Sequence, residues 1–141
     1  YSTIWLAEAL SKTDGQLTSI ETCPRLLQET KENVKKAGLE HRVTFHLGKA
    51  EEVFKKLTGP YDLILQDAAK AIYLPMLNEC VAKLRPGGLL ISDDVLFPTL
   101  PVRQRQKDLL EAYNQALFNH PDLETIILPI GDGLAISRKK D

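Results

Sequence analysis

The sequence predicts an α/β fold whose sheet is mostly parallel and ends in an antiparallel hairpin. Segments with strand-like patterns alternate with segments whose apolar residues recur at helical spacing. The continuous apolar runs 63–65 and 89–91 are typical of central strands buried on both faces. Near the end, Gly131-Asp132-Gly133 separates two further strand-like segments, which is a hairpin signal. Together these patterns favour a doubly wound sheet with helices on both faces.

The first elements follow from apolar spacing and from turn residues. A helix is predicted at 3–10 and a short strand at 16–21, separated by a turn around Asp14-Gly15. The helix predicted at 24–37 carries apolar residues at helical spacing and ends at Gly38. Two more elements precede Gly59-Pro60, namely an alternating strand at 42–48 and a short helix at 50–57.

The later elements repeat the alternation. A strand at 61–67 leads to a helix at 71–84, which Arg85-Pro86-Gly87-Gly88 should break. The remaining predicted elements are a strand at 89–94, an amphipathic helix at 102–118, and the hairpin strands 123–130 and 134–139.

Length and composition narrow the class of protein. A chain of 141 residues has the size of a single domain, 1–141. The net charge of −1 gives no electrostatic footprint for nucleic acid or for a membrane surface. No run of about 18 apolar residues is present, so no membrane-spanning helix is expected. Two isolated cysteines, Cys23 and Cys80, predict a reduced, cytoplasmic protein without a disulfide framework.

Acidic residues stand where three of the predicted strands end. They are Glu21, Asp67 and the pair Asp93-Asp94. In open α/β sheets, ligands bind outside the carboxyl ends of the strands. Because neighbouring carboxylates repel each other, a cluster of them needs a cation or hydroxyl groups to offset the repulsion.

Each acid has two interpretations. Glu21 ends the second strand expected of such a fold, where an acid commonly accepts hydrogen bonds from ribose hydroxyls, or it is an acid favoured by the start of the next helix. Asp67, Asp93 and Asp94 offer three hard oxygen ligands suited to Mg²⁺ or Ca²⁺, or they belong to two ordinary polar turns.

Lys70 follows Asp67 by three residues. It could pair with Asp67, act as a base or stabilise charge near an activated hydroxyl, or be an ordinary surface lysine.

The order of these motifs resembles a known family. "GQLTSIE", "VTFHLGKAEE", "YDLILQDAAKAIY", "LRPGGLLISDDVLF" and "PIGDGLAISRK" follow one another as in the catechol and caffeoyl-CoA type O-methyltransferases. These are class I S-adenosylmethionine-dependent enzymes with a Rossmann-like fold. The resemblance covers essentially the whole chain, and "DAAK" and "DDV" are its most specific parts.

The resemblance implies roles for particular residues. Those implied to contact S-adenosylmethionine are Tyr1, Ser2, Glu21, Gly48, Ala50, Glu51 and Asp67. Asp67, Asp93 and Asp94 match the ligands of a divalent metal such as Mg²⁺, with Asp94 standing where many relatives have Asn. Lys70 and Asp67 match the catalytic residues, Lys70 being the lysine near the acceptor hydroxyl. Since Asp94 adds a negative charge, the metal affinity or choice of metal is expected to shift.

The resemblance also implies a missing part. The first strand of the family and its glycine-rich loop should immediately precede Tyr1, and the strand would lie between those ending at Glu21 and Asp67. We therefore expect a chain that lacks the N-terminal part of its domain. Without that strand, binding of the cofactor should be poor.

The acceptor and the class of protein leave alternatives. Relatives methylate small phenols or a hydroxyuridine of tRNA, and "DAAK" followed by Tyr73 is closer to the tRNA-modifying branch, whereas the near-neutral charge argues against tRNA. A nicotinamide-dependent oxidoreductase would share Glu21 but would not need the three aspartates. A non-catalytic domain is the third alternative, and relatives are often homodimers.

Overall fold

A computed structural model describes residues 1–101 and 103–141 of the chain. These residues form two compact units, Tyr1–Leu57 and Thr58–Asp141. The prediction of a single domain over 1–141 stays a prediction.

The first unit contains a two-stranded parallel sheet and three helices. Its elements are α1 Ser2–Ser11, β1 Leu17–Glu21, α2 Pro24–Lys36, β2 Val43–Leu47 and α3 Ala50–Lys56. Strand β1 pairs with β2 from Leu17↔Val43 to Glu21↔Leu47. The core joins the helices to the sheet through Ala7, Val34, Leu39 and Val43. Each element lies within a few residues of its predicted range, because its apolar spacing matches the face that it buries.

The second unit is built on a four-stranded mixed sheet. Its elements are β3 Tyr61–Gln66, α4 Tyr73–Lys83, β4 Leu84–Asp93, α5 Gln104–Asn119, β5 Leu123–Leu128 and β6 Leu134–Lys139. The strand order is β3-β4-β6-β5, with β3 parallel to β4 and with β6 antiparallel to both β4 and β5. The combination of parallel strands with a terminal antiparallel hairpin is therefore confirmed.

Strand β4 differs from its predicted range. It begins at Leu84 rather than Leu89, so the Arg85-Pro86-Gly87-Gly88 segment ends the helix and yet belongs to the strand. The register moves from Tyr61↔Leu84 to Leu63↔Leu89, which leaves extra residues on β4 as an irregularity. Glycine permits this, since a Cβ at Gly88 would lie 2.9 Å from the carbonyl oxygen of Arg85.

Other boundaries shift by small amounts. Single 3-10 turns at Glu40–Arg42, Lys70–Ile72 and Phe97–Thr99 were not predicted from the sequence. The helix predicted at 102–118 is observed at Gln104–Asn119, and Val102 lies outside the described residues.

The core of the second unit lies where α4 and α5 pack on the sheet. Its fully buried side chains include Leu90 on β4, Leu110 and Leu117 on α5, and Ala135 on β6. Two tyrosines, Tyr73 and Tyr113, are also fully buried, and their rings meet edge to face with centroids 5.2 Å apart. Aromatic pairs favour this geometry, so the rings fix the start of α4 against α5.

The hairpin turn supports the loop that follows β4. The backbone N–H of Val95 donates to the carbonyl oxygen of Gly133 at 3.1 Å, and the N–H of Leu96 donates to that of Asp132 at 2.9 Å. Gly133 has a φ of +96°, and a Cβ there would lie 2.7 Å from the backbone nitrogen of Leu96. The close approach therefore requires glycine, and it fixes the loop that begins at Asp94.

Among the described residues, no helix is both long enough and apolar enough to cross a membrane.

The two cysteines should differ in reactivity. Burial raises the pKa of the Cys80 thiol to about 12, whereas Cys23 is partly exposed at the start of α2. At pH 8 the Cys80 thiol is therefore protonated and covered, and iodoacetamide should modify it only after unfolding. Mass spectrometry of the native and the urea-unfolded chain, with Cys23→Ser as control, measures this. Equal rates of labelling at the two thiols in the native chain would contradict the packing of α4.

Substitutions in the hairpin turn should separate backbone strain from steric clash. Gly131 and Gly133 both have positive φ values, +56° and +96°, but a Cβ at Gly131 meets nothing within 4 Å. We expect Gly133→Ala to lower the free energy of unfolding by about 1–3 kcal/mol more than Gly131→Ala. Urea titrations of the two variants give the difference. Equal losses of stability would show that the turn does not press against Leu96.

Candidate active site

Three aspartates meet where β3 and β4 end. Asp67 directly follows β3, Asp93 is the last residue of β4, and Asp94 begins the next loop. One carboxylate oxygen from each lies within 4.8 Å of the other two. Asp67 is exposed, and Asp93 and Asp94 are partly buried. The parallel pairing of β3 with β4 brings the two strand ends together, as the sequence predicts.

The backbone at Asp94 turns sharply. Its φ is +60°, a left-handed value that is uncommon for residues other than glycine, although Asp and Asn adopt it more readily than most. The Asp93 carboxylate stabilises the turn, because its Oδ1 accepts the backbone N–H of Asp94 at 2.9 Å. This turn points two successive carboxylates toward the same place.

Lys70 lies beside the aspartates, but its partner is Asp94 and not Asp67. Its Nζ is 2.7 Å from Asp94 Oδ2, and only 9% of the Lys70 side chain is exposed. The Tyr73 hydroxyl at 2.8 Å and the Asp93 carbonyl oxygen at 3.4 Å are further acceptors for the same ammonium group. These acceptors draw the ammonium toward the end of β4, so the surface-lysine interpretation is wrong.

The surroundings of Lys70 favour its charged form. Burial by itself lowers the pKa of Lys70, but the hydrogen bonds and charges of Asp94 and Tyr73 outweigh that effect. The pKa is therefore raised, and the side chain is an ammonium ion at neutral pH. In this arrangement Lys70 donates hydrogen bonds and supplies positive charge.

A buried polar network lies behind the aspartates and was not predicted from the sequence. The Tyr73 hydroxyl donates to the Gln66 carbonyl oxygen at 2.8 Å. The Gln66 side-chain oxygen accepts from Tyr113 at 2.5 Å and from Ser92 at 3.4 Å, and the Ser92 and Tyr113 hydroxyls are 2.6 Å apart. Two signals could have revealed it: Gln66 and Ser92 are polar residues inside buried strands, and Tyr73 follows Lys70 by three residues.

Burial also keeps the two phenols of the network neutral. Desolvation raises the pKa of Tyr73, although the nearby Lys70 ammonium opposes the effect. Burial likewise raises the pKa of Tyr113 far above its ordinary value. Each phenol therefore keeps its proton and can donate one hydrogen bond while it accepts others.

In the first unit, two of the residues implied to bind the cofactor lie side by side. Glu21 ends β1, and the backbone N–H of Gly48 donates to its carbonyl oxygen at 3.0 Å. The Glu21 carboxylate oxygen Oε1 accepts the backbone N–H of Cys23 at 2.8 Å, which is the contact expected of an acid before a helix. The structure thus supports the helix-start interpretation of Glu21 and keeps its carboxylate at the carboxyl edge of β1 and β2.

The other expected cofactor residues flank this edge or begin α1. Ala50 and Glu51 open helix α3 directly after the Gly48 turn, and both are partly buried. Tyr1 and Ser2 lie at the start of α1, and both are exposed.

The three aspartates have the chemistry of a site for a hard divalent cation. All the ligand atoms are carboxylate oxygens, which suit Mg²⁺, Mn²⁺ or Ca²⁺ rather than soft metals. Two oxygens bound to one such ion at about 2.1–2.5 Å are at most about 4–5 Å apart. The separation of up to 4.8 Å fits this limit. The residues present therefore fit a divalent cation.

Comparison with known proteins agrees with this arrangement. A family model described as O-methyltransferase matches residues 1–140. The chain is 36% identical over 100 residues to the catechol O-methyltransferase of Niastella koreensis, a match that covers 68% of the chain and 45% of that protein. It is 30% identical over 155 residues to the caffeoyl-CoA O-methyltransferase of Medicago sativa, with 99% of the chain and 62% of that protein covered.

A solved structure also resembles this chain. The O-methyltransferase TomG from Streptomyces achromogenes, solved in complex with S-adenosylmethionine, has a TM-score of 0.88 and 25% sequence identity. That likeness covers 100% of this chain and 69% of TomG. The expected Rossmann-like α/β fold is thereby confirmed, and the oxidoreductase alternative is not favoured.

The chain spans about half to two thirds of the length of the curated relatives that it matches. A single family match covers almost all of it. The chain belongs to the O-methyltransferase family, and the proteins similar to it include the catechol and caffeoyl-CoA O-methyltransferases named above.

Proposed function

We propose that this protein transfers a methyl group from S-adenosylmethionine to the oxygen of a phenolic, catechol-like hydroxyl, with the help of a divalent cation. The observation that carries the proposal is the group formed by Asp67, Asp93 and Asp94 with the Lys70 ammonium beside it. The family supports methyl transfer to oxygen, and the geometry adds a place where a hydroxyl could meet both a cation and an ammonium group.

The cofactor would bring the reactive group already activated. S-adenosylmethionine carries its methyl on a sulfonium, so the protein has to hold it and to align an oxygen with it. In the first unit we assign its contacts to Tyr1, Ser2, Glu21, Gly48, Ala50 and Glu51. The Glu21 carboxylate would accept hydrogen bonds from the ribose hydroxyls. In the second unit we assign Asp67 to the cofactor as well as to the cation.

The acceptor oxygen needs to lose its proton, which passes to water. Its new bond to the methyl carbon replaces the sulfur–methyl bond of the cofactor and leaves S-adenosylhomocysteine. A phenol with a pKa of about 10 is mostly neutral at pH 7. A divalent cation, when bound, favours the anionic form of a neighbouring hydroxyl and orients it. Asp67, Asp93 and Asp94 would hold that cation, Mg²⁺ being the first choice for an all-oxygen set of ligands.

Lys70 and Asp67 are the proposed catalytic residues. We assign to the Lys70 ammonium, which lies 2.7 Å from Asp94 Oδ2, the stabilisation of the negative charge that develops on the phenolate oxygen. Asp67 is the most exposed of the three aspartates, which makes it the carboxylate most accessible to a ligand.

A small hydroxylated molecule is the acceptor that we favour. Two relatives are named for catechol and for caffeoyl-CoA, and both of these compounds carry phenolic hydroxyls. Tyr73, which in the sequence pointed toward the tRNA-modifying branch, is fully buried and hydrogen-bonded to Lys70. Its presence therefore has a structural explanation that needs no RNA.

Loss of one ligand should reduce methyl transfer. Asp93→Asn keeps an oxygen that can accept the N–H of Asp94 but removes a charge from the cluster. We expect the rate of methyl transfer from radiolabelled S-adenosylmethionine to catechol, with Mg²⁺ present, to fall about 10- to 100-fold or more. The assay follows the labelled ether product.

A matched control is available on β3. Asp62 is exposed and pairs with Arg85, and such a pair contributes little to stability. Asp62→Asn should leave methyl transfer unchanged. If Asp93→Asn were as active as Asp62→Asn, the aspartate cluster would have no part in the reaction. Methylation of tRNA but not of catechol would replace the proposed acceptor and keep the reaction type.

A further inference from the structure

We propose that Tyr73 is a positioning residue whose buried hydroxyl holds the Lys70 ammonium beside the aspartates and links the ends of β3 and β4. The contact stands on geometry alone, whereas its importance for methyl transfer rests on the proposed function. The first supporting observation is that the Tyr73 side chain is fully buried, although it begins a helix next to a cluster of charges.

The direction of the hydrogen bonds at Tyr73 follows from its partners. The phenol has one proton, and the Gln66 carbonyl oxygen at 2.8 Å can only accept. The Tyr73 proton therefore points to Gln66, and a lone pair of the hydroxyl remains for the Lys70 Nζ at 2.8 Å. Tyr73 thus accepts from Lys70, and the lysine is held as a donor.

The Tyr73 hydroxyl and the Lys70 ammonium together connect both strand ends. Gln66 is the last residue of β3, immediately before Asp67. The Asp93 carbonyl oxygen, at the end of β4, lies 3.4 Å from the Tyr73 hydroxyl and 3.4 Å from Lys70 Nζ. The ammonium group therefore reaches the backbone at the end of β4 directly and the backbone at the end of β3 through the Tyr73 hydroxyl.

The Tyr73 ring also contacts the Lys70 ammonium group. Lys70 Nζ lies 4.6 Å from the centroid of the Tyr73 ring, within the range of a cation–π contact. The Tyr73 ring in turn packs edge to face on Tyr113. Because this packing does not involve Lys70, the position of the tyrosine is set by the core and then imposed on the lysine.

Tyr113 provides a matched control for Tyr73. Both side chains have 0% exposure, and each has a hydroxyl in the same polar network. The Tyr113 hydroxyl donates to Gln66 Oε1 and is also hydrogen-bonded to the Ser92 hydroxyl, and neither partner is Lys70. Replacing either tyrosine by phenylalanine removes one buried hydroxyl, but only Tyr73→Phe removes an acceptor from Lys70.

The first measurement follows the Lys70 ammonium group by ¹⁵N NMR, with Lys70→Met to assign its signal. In Tyr73→Phe we expect its protons to exchange with water about tenfold faster or more, because a strong acceptor is lost. In Tyr113→Phe the exchange should stay close to that of the parent protein. An unchanged signal in Tyr73→Phe, or equal changes in both variants, would overturn the inference.

The second measurement is kinetic, with catechol as acceptor and Mg²⁺ present. Tyr73→Phe should lower kcat about tenfold and leave KM for S-adenosylmethionine unchanged, whereas Tyr113→Phe should keep kcat within about twofold. An unchanged kcat in Tyr73→Phe would overturn the role in the reaction. A parent protein that binds S-adenosylmethionine but methylates no hydroxylated acceptor would sink the proposed function, and the NMR comparison would still decide the contact.

Thermal unfolding of both variants shows whether the two substitutions destabilise the fold equally. Because the two side chains are equally buried, similar falls in Tm are expected. If Tyr73→Phe failed to fold while Tyr113→Phe folded normally, Tyr73 would be a core residue only, and the inference would be wrong.

Discussion

The arrangement at the ends of β3 and β4 depends on one electrostatic constraint: three carboxylates share a small space. Asp67, Asp93 and Asp94 approach to within 4.8 Å, which is unfavourable unless positive charge offsets their repulsion. Lys70 supplies part of that charge through its contact with Asp94 at 2.7 Å. One ammonium does not neutralise three carboxylates, so the cluster retains an attraction for a cation. This residual negative charge is the reason why the ends of β3 and β4 suit the binding of a divalent cation.

Four features of the second unit fix the positions of the three aspartates. Parallel pairing of β3 with β4 brings Asp67 near Asp93, and the left-handed turn at Asp94 adds the third carboxylate. Behind them, Gln66, Ser92, Tyr73 and Tyr113 satisfy one another's hydrogen bonds in the core. From the other side, the turn at Gly133 supports the loop after Asp94. A buried network whose members are hydrogen-bonded to one another is rigid.

Sequence patterns sufficed for the α/β class, for the hairpin and for the meeting of the aspartates, because apolar periodicity and strand ends are local features. They did not suffice for the start of β4, since the irregular pairing around Gly88 depends on a neighbouring strand. The partner of Lys70 also depends on long-range packing: Asp94 is distant in sequence, and Asp67 was the nearer candidate. The role of Tyr73 was hidden for the same reason, because helical spacing predicts that its side chain is buried but does not predict its hydrogen bonds.

Binding of Mn²⁺, followed by electron paramagnetic resonance, tests the central claim most directly, because it needs neither cofactor nor acceptor. The account predicts one saturable Mn²⁺ site on the chain, which Asp67→Ala abolishes and Glu29→Gln, on the exposed face of α2, leaves intact. The same titration in the presence of Mg²⁺ should show competition for that site. Absence of saturable binding, or binding that survives Asp67→Ala unchanged, would contradict the assignment of the three aspartates to a divalent cation.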